Sequence, residues 1–187
     1  MSLTVFRSPE NIPYTGPELR PHFILSRFKI EGSSLVAFYG PCRVEAAHLV
    51  DWEDRLASDH IAAGEMVHFL GEFFGITLRE GVWIQRHLVQ EAGARLRAHG
   101  LDVSRDGDDL FLSGGKLSVS IVTASPVSVL LHLGINIDPA GAPVKASGLG
   151  GVLGTAVING IIDDLLNGFE REWASVQRAT VKVKPVI

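Results

Sequence analysis

Cysteine is nearly absent from this chain. Cys42 stands alone among 187 residues. That excludes an intrachain disulfide and any zinc site built on several cysteines, and it fits a reducing, cytoplasmic setting. Long apolar runs are missing too. No stretch approaches the roughly 18 apolar residues that a membrane-spanning helix needs, and "MSLTVFRSPENIPYTG" has no basic-then-apolar leader pattern. Nor is there a basic excess: 17 Lys and Arg face 21 Asp and Glu, a net charge of −4. This argues against nucleic acid or another polyanion as partner, although it leaves room for a local cationic pocket. No repeat, low-complexity tract or linker divides the chain. At 46 % apolar and 20 % charged residues, it matches globular averages, and its length suits one domain over residues 1–187.

What is present reads as alternating blocks. Up to Pro41 the chain is rich in turn formers, with "HFILSRFKI" and "SSLVAFYG" as strand candidates joined by an "EGSS" hairpin turn. From Ser58 to Phe74, Ala62, Met66, Phe69 and Phe73 recur at spacings of four, three and four, which predicts a helix capped by Ser58 or Asp59 and stopped by Gly75. A second helix opens on a Thr77–Glu80 capping box, carries Ile84, Leu88, Ala92 and Leu96, and ends at Gly100. Strands follow at "LDVS", in a hairpin, and at "PVSVLLHLGINI". Ile158, Ile161, Ile162, Leu165, Phe169, Trp173 and Val176 mark a last helix, and "TVKVKPVI" reads as a closing edge strand. Strands joined mostly by short turns predict an α+β fold with a mainly antiparallel sheet backed by helices.

The hairpin "RDGDDLFLSGGKLSVSI", residues 105–121, is the most unusual run. With Gly114-Gly115 as the central turn pair, Ser113 opposes Lys116 and Leu112 opposes Leu117. Leu110, Leu112, Leu117 and Val119 then share a core face. Asp109, Phe111, Ser113, Lys116, Ser118 and Ser120 share a polar one. A solvated outer face accounts for that pattern. The alternative is a polar floor in which Lys116 is the point charge for a carboxylate or phosphate.

At this hairpin the chain resembles the biotin protein ligases. Their K-W-P-N-D segment, K-L-x-G-I strand and later G-I-N strand fall in the same order as "RDGDDLFL", "KLSVSI" and "HLGINID", over residues 79–138. The resemblance implies the fold shared by biotin and lipoate ligases and class II aminoacyl-tRNA synthetases. It implies that Lys116 lies against a carboxyl or phosphate, that Asp108 and Asp109 stand for the N-D pair and orient donors, and that Arg105 stands for the first lysine. It would bring ATP as cofactor. Two departures stand out. Val119 replaces the K-L-x-G-I glycine, and the G-R-G-R-x-x-x-W segment that organises an adenylate is absent, "YGPCRV" being no substitute. The whole chain also resembles domain-of-unknown-function family 366, mostly archaeal, through "PYTGPELRPHF", "VDWEDRLASDHIAAGEMVHFLGEFF", "QRHLV" and the hairpin itself. That family brings no activity with it.

Other constellations are weaker. His48, Asp51 and Asp54 have the i, i+3, i+6 spacing of a helical metal face, but no diagnostic zinc motif is present. His68 and His132 sit in apolar runs and read as hydrogen-bonded core or pocket-wall residues. His22 reads as a loop residue near a pocket mouth. Cys42 would be a nucleophile if Arg43 lowered its pKa. Arg86 reads as a pocket cation or a solvated helix residue. "GLGGVLG" lacks the Lys-Ser/Thr of a phosphate loop.

These readings converge on a ligase-like domain that binds a carboxylate small molecule or its acyl-adenylate. Lys116, Asp108 and Asp109 carry the chemistry. Arg105, Arg86, Ser118, Ser120, His132 and Asn136 bind substrate, and no metal is expected. The alternatives are a non-catalytic module of the same fold and a metal-dependent hydrolase. The expected partners are a small-molecule carboxylate or nucleotide, with a homodimer left open and no membrane.

Overall fold

The computed structural model describes residues 2–186. Five strands form the main sheet: β1 (Thr4–Asn11), β2 (Ser34–Val44), β3 (Ile61–Phe73), β7 (Ser118–Ala124) and β8 (Val129–Asp138). Their order is β1-β2-β3-β8-β7. Only the β1–β2 pair is parallel. Three short strands, β4 (Val103–Asp106), β5 (Asp109–Leu112) and β6 (Gly115–Lys116), make a second sheet. The helices are α1 (Phe23–Phe28), α2 (Trp52–Leu56), α3 (Leu78–Ala98) and α4 (Thr155–Val181). The expected α+β architecture with a mainly antiparallel sheet is the one observed. Among the described residues, no helix is long and apolar enough to cross a membrane.

Both faces of the sheet are covered, by different means. Leu35, Ala37, Val67, Phe69, Leu131, Leu133 and Ile135 face α3 and α4, and join Leu88, Ala92, Ile162 and Phe169 in one core. Val36, Phe38, Met66 and Leu70 face the other way, toward Tyr14, Phe23, Ile24 and Leu49. Double coverage explains the main correction to the sequence reading. Residues 61–73 form a central strand, not a helix. A strand buried on both sides loses its polar alternation, so Met66 to Leu70 fits a helical spacing as well as a strand. Gly64 and Gly71, each costing a helix about 1 kcal/mol, were the contrary signal. Ser58 is no helix cap; it adopts a left-handed φ of 56° in the turn before β3.

Three further expectations give way. "HFILSRFKI" holds α1, not a strand. Glu72 fixes its start by accepting the His22 N–H at 2.9 Å, a contact 50 residues distant that no local pattern carries. There is accordingly no hairpin through "EGSS", and β2 pairs instead with β1, which the sequence reading missed. The closing strand does not form: α4 runs on to Val181, and exposed Val183 has no strand neighbour. Ile187 lies outside the described residues. By contrast, the Thr77–Glu80 capping box is present in full, with Thr77 Oγ1 accepting from Glu80 N, and Gly100 ends the turn after α3 with φ 82°.

One close approach positions the site described below. Residues 12–14 run beside β2: Ile12 N donates to Tyr39 O, and Arg43 N donates to Tyr14 O. A Cβ on Gly40 would lie 1.9 Å from Ile12 O, a backbone atom that cannot swing aside. Gly40→Ala is therefore expected to lose about 3 kcal/mol of stability, the upper range for overpacking, read as a lower urea midpoint.

Candidate functional site

Strand register builds the floor of a cavity of about 290 Å³. His132 pairs with Leu70 and Ile121, Gly134 with His68 and Val119, and Asn136 with Met66. Alternation then turns His132, Gly134 and Asn136 to the face away from α3 and α4. Met66, Val119, Ile121, His132 and Asn136 all line the cavity, with Tyr14 beside them.

The floor is uncharged by construction. His68 Nε2 lies 3.1 Å from Gly40 O. A carbonyl only accepts, so the proton is on Nε2 and His68 Nδ1 is an acceptor. His132 Nε2, 3.0 Å from that nitrogen, must be the donor. His132 Nδ1 is therefore left as a bare acceptor. Burial holds both rings neutral: His68 is pushed down to about 4, and His132 well below the usual histidine range, with His68 adding to its shift. Tyr14 stacks on His132 at 3.9 Å and 4° between planes. Burial first, then the Cys42 and Glu18 charges, raises its phenol pKa.

The small hairpin brings Lys116 to the wall. Its turn is one residue earlier than expected: Ser113 and Gly114 take the positive φ angles, 51° and 75°, and Phe111 pairs with Lys116. Lys116 and Asp109 meet at 2.8 Å. On the other side of β6, Lys116 N donates to Lys145 O and Ser147 N donates to Lys116 O. The 142–146 loop is thereby laid along the cavity.

At Leu117 the chain leaves the small sheet for the large one, and this break undoes the single polar face expected for the hairpin. Ser118 and Ser120 border the cavity, but their hydroxyls bond toward the helix side, where Ser118 Oγ accepts from Leu110 N at 2.9 Å. Ser120 Oγ and Asp108 share Gln85 Nε2 at 2.8 and 2.9 Å. Val119 leaves the leucine face and stands on the cavity floor. Arg86 reaches Asp108 at 3.2 Å, outside the cavity lining. Arg105 does not join the site. It is exposed and donates to Gly107 O in its own turn.

The 45–60 segment supplies the rim: His48, Asp51, Asp54, Asp59 and His60. Asp51 is engaged as the cap of α2, accepting from Glu53 N and Asp54 N. Burial, then Asp51 and Asp59, raises the Asp54 pKa. Burial likewise raises that of Asp109, against the pull of Lys116. Among the described residues, no group of three or more His, Cys, Asp or Glu is arranged to hold a metal. Cys42 is buried. Burial and then the Glu18 charge push its thiol up to about 12, while Arg43 turns outward to Glu45 at 2.8 Å. That is the reverse of an activated nucleophile.

Sequence reasoning missed Tyr14, Asp59 and the 142–146 loop, all placed by tertiary contacts. The role of Gln85 was findable, because a polar residue sits on the buried stripe of α3 with Leu88, Ala92 and Leu96.

Comparison with known proteins then places the chain. The model of a family described as domain of unknown function (DUF366) matches residues 3–184. An uncharacterised protein of Methanocaldococcus jannaschii is 30 % identical over 184 residues, 95 % of this chain and 83 % of that one. The solved structure of a protein of unknown function from Pyrococcus horikoshi matches at TM-score 0.90 and 32 % identity, covering 100 % of both chains. The biotin acetyl coenzyme A carboxylase synthetase of Helicobacter pylori, solved with bound biotinylated ATP, matches at TM-score 0.52 and 14 % identity, over 91 % of this chain and 75 % of that one. The structure of lipoate-protein ligase A bound with ATP matches at TM-score 0.50 and 12 % identity, over 91 % of this chain and 84 % of that one. At such identity these ligases share the fold.

The buried histidine pair has a consequence for stability. Depressed folded-state pKa values contribute stability that is full above the unfolded value near 6.5 and is lost as pH falls toward 4. His68 alone is expected to remove about 3 kcal/mol between pH 7 and pH 4. Urea unfolding across that window should show the loss. His132→Phe, which keeps a ring on Tyr14, should remove the His132 share and retain that of His68; an equally steep loss in the variant would contradict the assignment.

Proposed function

Because the chain belongs to the DUF366 family and shares the ligase fold, we propose that its cavity binds a small carboxylate with Lys116 as the electrostatic anchor. One observation carries the reading. Lys116 is the lone lysine or arginine among the described residues lining the cavity, and β5 and residues 145–147 fix its backbone from both sides. The ammonium has three N–H groups, and Asp109 takes one. The others can meet a carboxylate. Asp109, on the same ion pair, and Asp108, held by Gln85 and Arg86, would orient donors of the ligand. Ser118 and Ser120 border the cavity with their hydroxyls engaged, through Leu110 N and Asp108, and act as positioning residues.

ATP fits the lining poorly. Five aspartates and one lysine form it, which disfavours a triphosphate. The carboxylate itself, not its adenylate, is the better-supported ligand. The same facts favour a second reading, a binding module that keeps the fold without the chemistry. The G-R-G-R-x-x-x-W segment that would organise an adenylate is absent, and "YGPCRV", no substitute for it, lies within β2 with Tyr14 bridged to Cys42.

Calorimetry with ATP, biotin, lipoate and octanoate separates these readings. At least one carboxylate should bind the wild type, and Lys116→Ala should weaken it at least about tenfold, the scale of one hydrogen bond between charged groups. No binding, or binding unchanged in Lys116→Ala, would remove the carboxylate site. Pyrophosphate exchange driven by any of these acids would refute the non-catalytic reading.

A further inference from the structure

The cavity is poorly matched to a ligand whose only charge is a carboxylate. Asp51, Asp54, Asp59, Asp108 and Asp109 line it against Lys116. Asp108 has Arg86 and Asp109 has Lys116. Asp54 and Asp59 pair with no cation among the described residues. An added carboxylate alone would increase an existing excess of negative charge.

The floor shows what would offset it. Asn136 is 5 % exposed, and its Oδ1 is buried without a partner. The amide orientation is not free, because Nδ2 donates to Lys116 O at 3.2 Å; turned over, it would set two oxygens face to face. The unmet group is therefore an acceptor, and it calls for a donor. His132 Nδ1, an acceptor by the tautomer argument above, lies on the same face of β8. A neutral acceptor floor beneath an acidic rim is the complement of an ammonium group. It is not the complement of an acyl chain.

We infer that the ligand is an amine-bearing carboxylate, whose amino group donates to Asn136 Oδ1 under the rim aspartates while its carboxylate meets Lys116. The inference rests on the carboxylate reading of the Lys116 site. It explains how one lysine serves a carboxylate inside an acidic cavity: the ligand carries its own compensating charge.

The test is calorimetry on the full chain with octanoate, 2-aminooctanoate, 8-aminooctanoate and octylamine. At least one amino acid should bind about tenfold or more tighter than octanoate, the scale of one charge-assisted hydrogen bond. Asn136→Leu should erase that preference. Asp54→Asn, an exposed change that leaves the fold untouched, should reduce it about threefold and decides the matter if Asn136→Leu fails to fold. Octanoate binding as tightly as both amino acids would overturn this inference and leave the carboxylate reading standing. Octylamine binding as tightly as the amino acids would overturn the carboxylate reading on which the inference rests. No binding by any probe would overturn both.

Discussion

A two-step hydrogen-bond chain inside the sheet, from His132 to His68 to Gly40 O, sets the terms for the rest of the site. It spans three strands, so it exists only when β2, β3 and β8 hold their register. It fixes both tautomers without a charge. It presents a flat, neutral ring for Tyr14 to stack on, and it leaves one unprotonated nitrogen at the cavity floor. Burying two imidazoles costs little only while they stay neutral and hydrogen-bonded to each other. The polar floor and the stability of the sheet are thus one arrangement.

The second constraint is the sheet switch at Leu117. Leu117 N donates to Leu110 O in the small sheet, while Leu117 O accepts from Asn136 N in the large one. This residue ties the hairpin that carries Lys116 to the strand that carries Asn136. Asn136 Nδ2 then reaches the Lys116 carbonyl. The backbones that carry the cation on the wall and the orphan acceptor on the floor are consequently tied together, while Asp109 holds the Lys116 ammonium and the Lys116 carbonyl holds the Asn136 amide. Val119, just past the switch, stands on the cavity floor. It narrows the floor beside Gly134, whose added Cβ would lie 3.4 Å from Val119 Cγ2.

Local rules read well where local chemistry decides. The capping box of α3, the apolar stripe of α4 and the long run of β8 are all legible, and with them the antiparallel α+β architecture. Legibility fails where burial is two-sided or a partner is distant. Met66 to Leu70 carried no polar alternation because both faces of β3 are covered. α1 begins on a carboxylate 50 residues away. For the site, the sequence marks Lys116, Asp109 and His132 as chemistry-bearing, but not that the hydroxyls of Ser118 and Ser120, two residues that border the cavity, are spent on Leu110 N and Asp108. Their direction follows from a break in strand pairing, and a run of alternating residues does not announce one. Tyr14 enters the floor only because Gly40 admits the 12–14 backbone.

The most direct measurement of the account is the protonation of the two buried imidazoles, read by nitrogen NMR on histidine-labelled protein at pH 7. Both rings are predicted neutral, with the proton on Nε2 of each and His132 Nδ1 bearing a lone pair. A proton on His132 Nδ1, or a doubly protonated ring at either position, would contradict an acceptor floor.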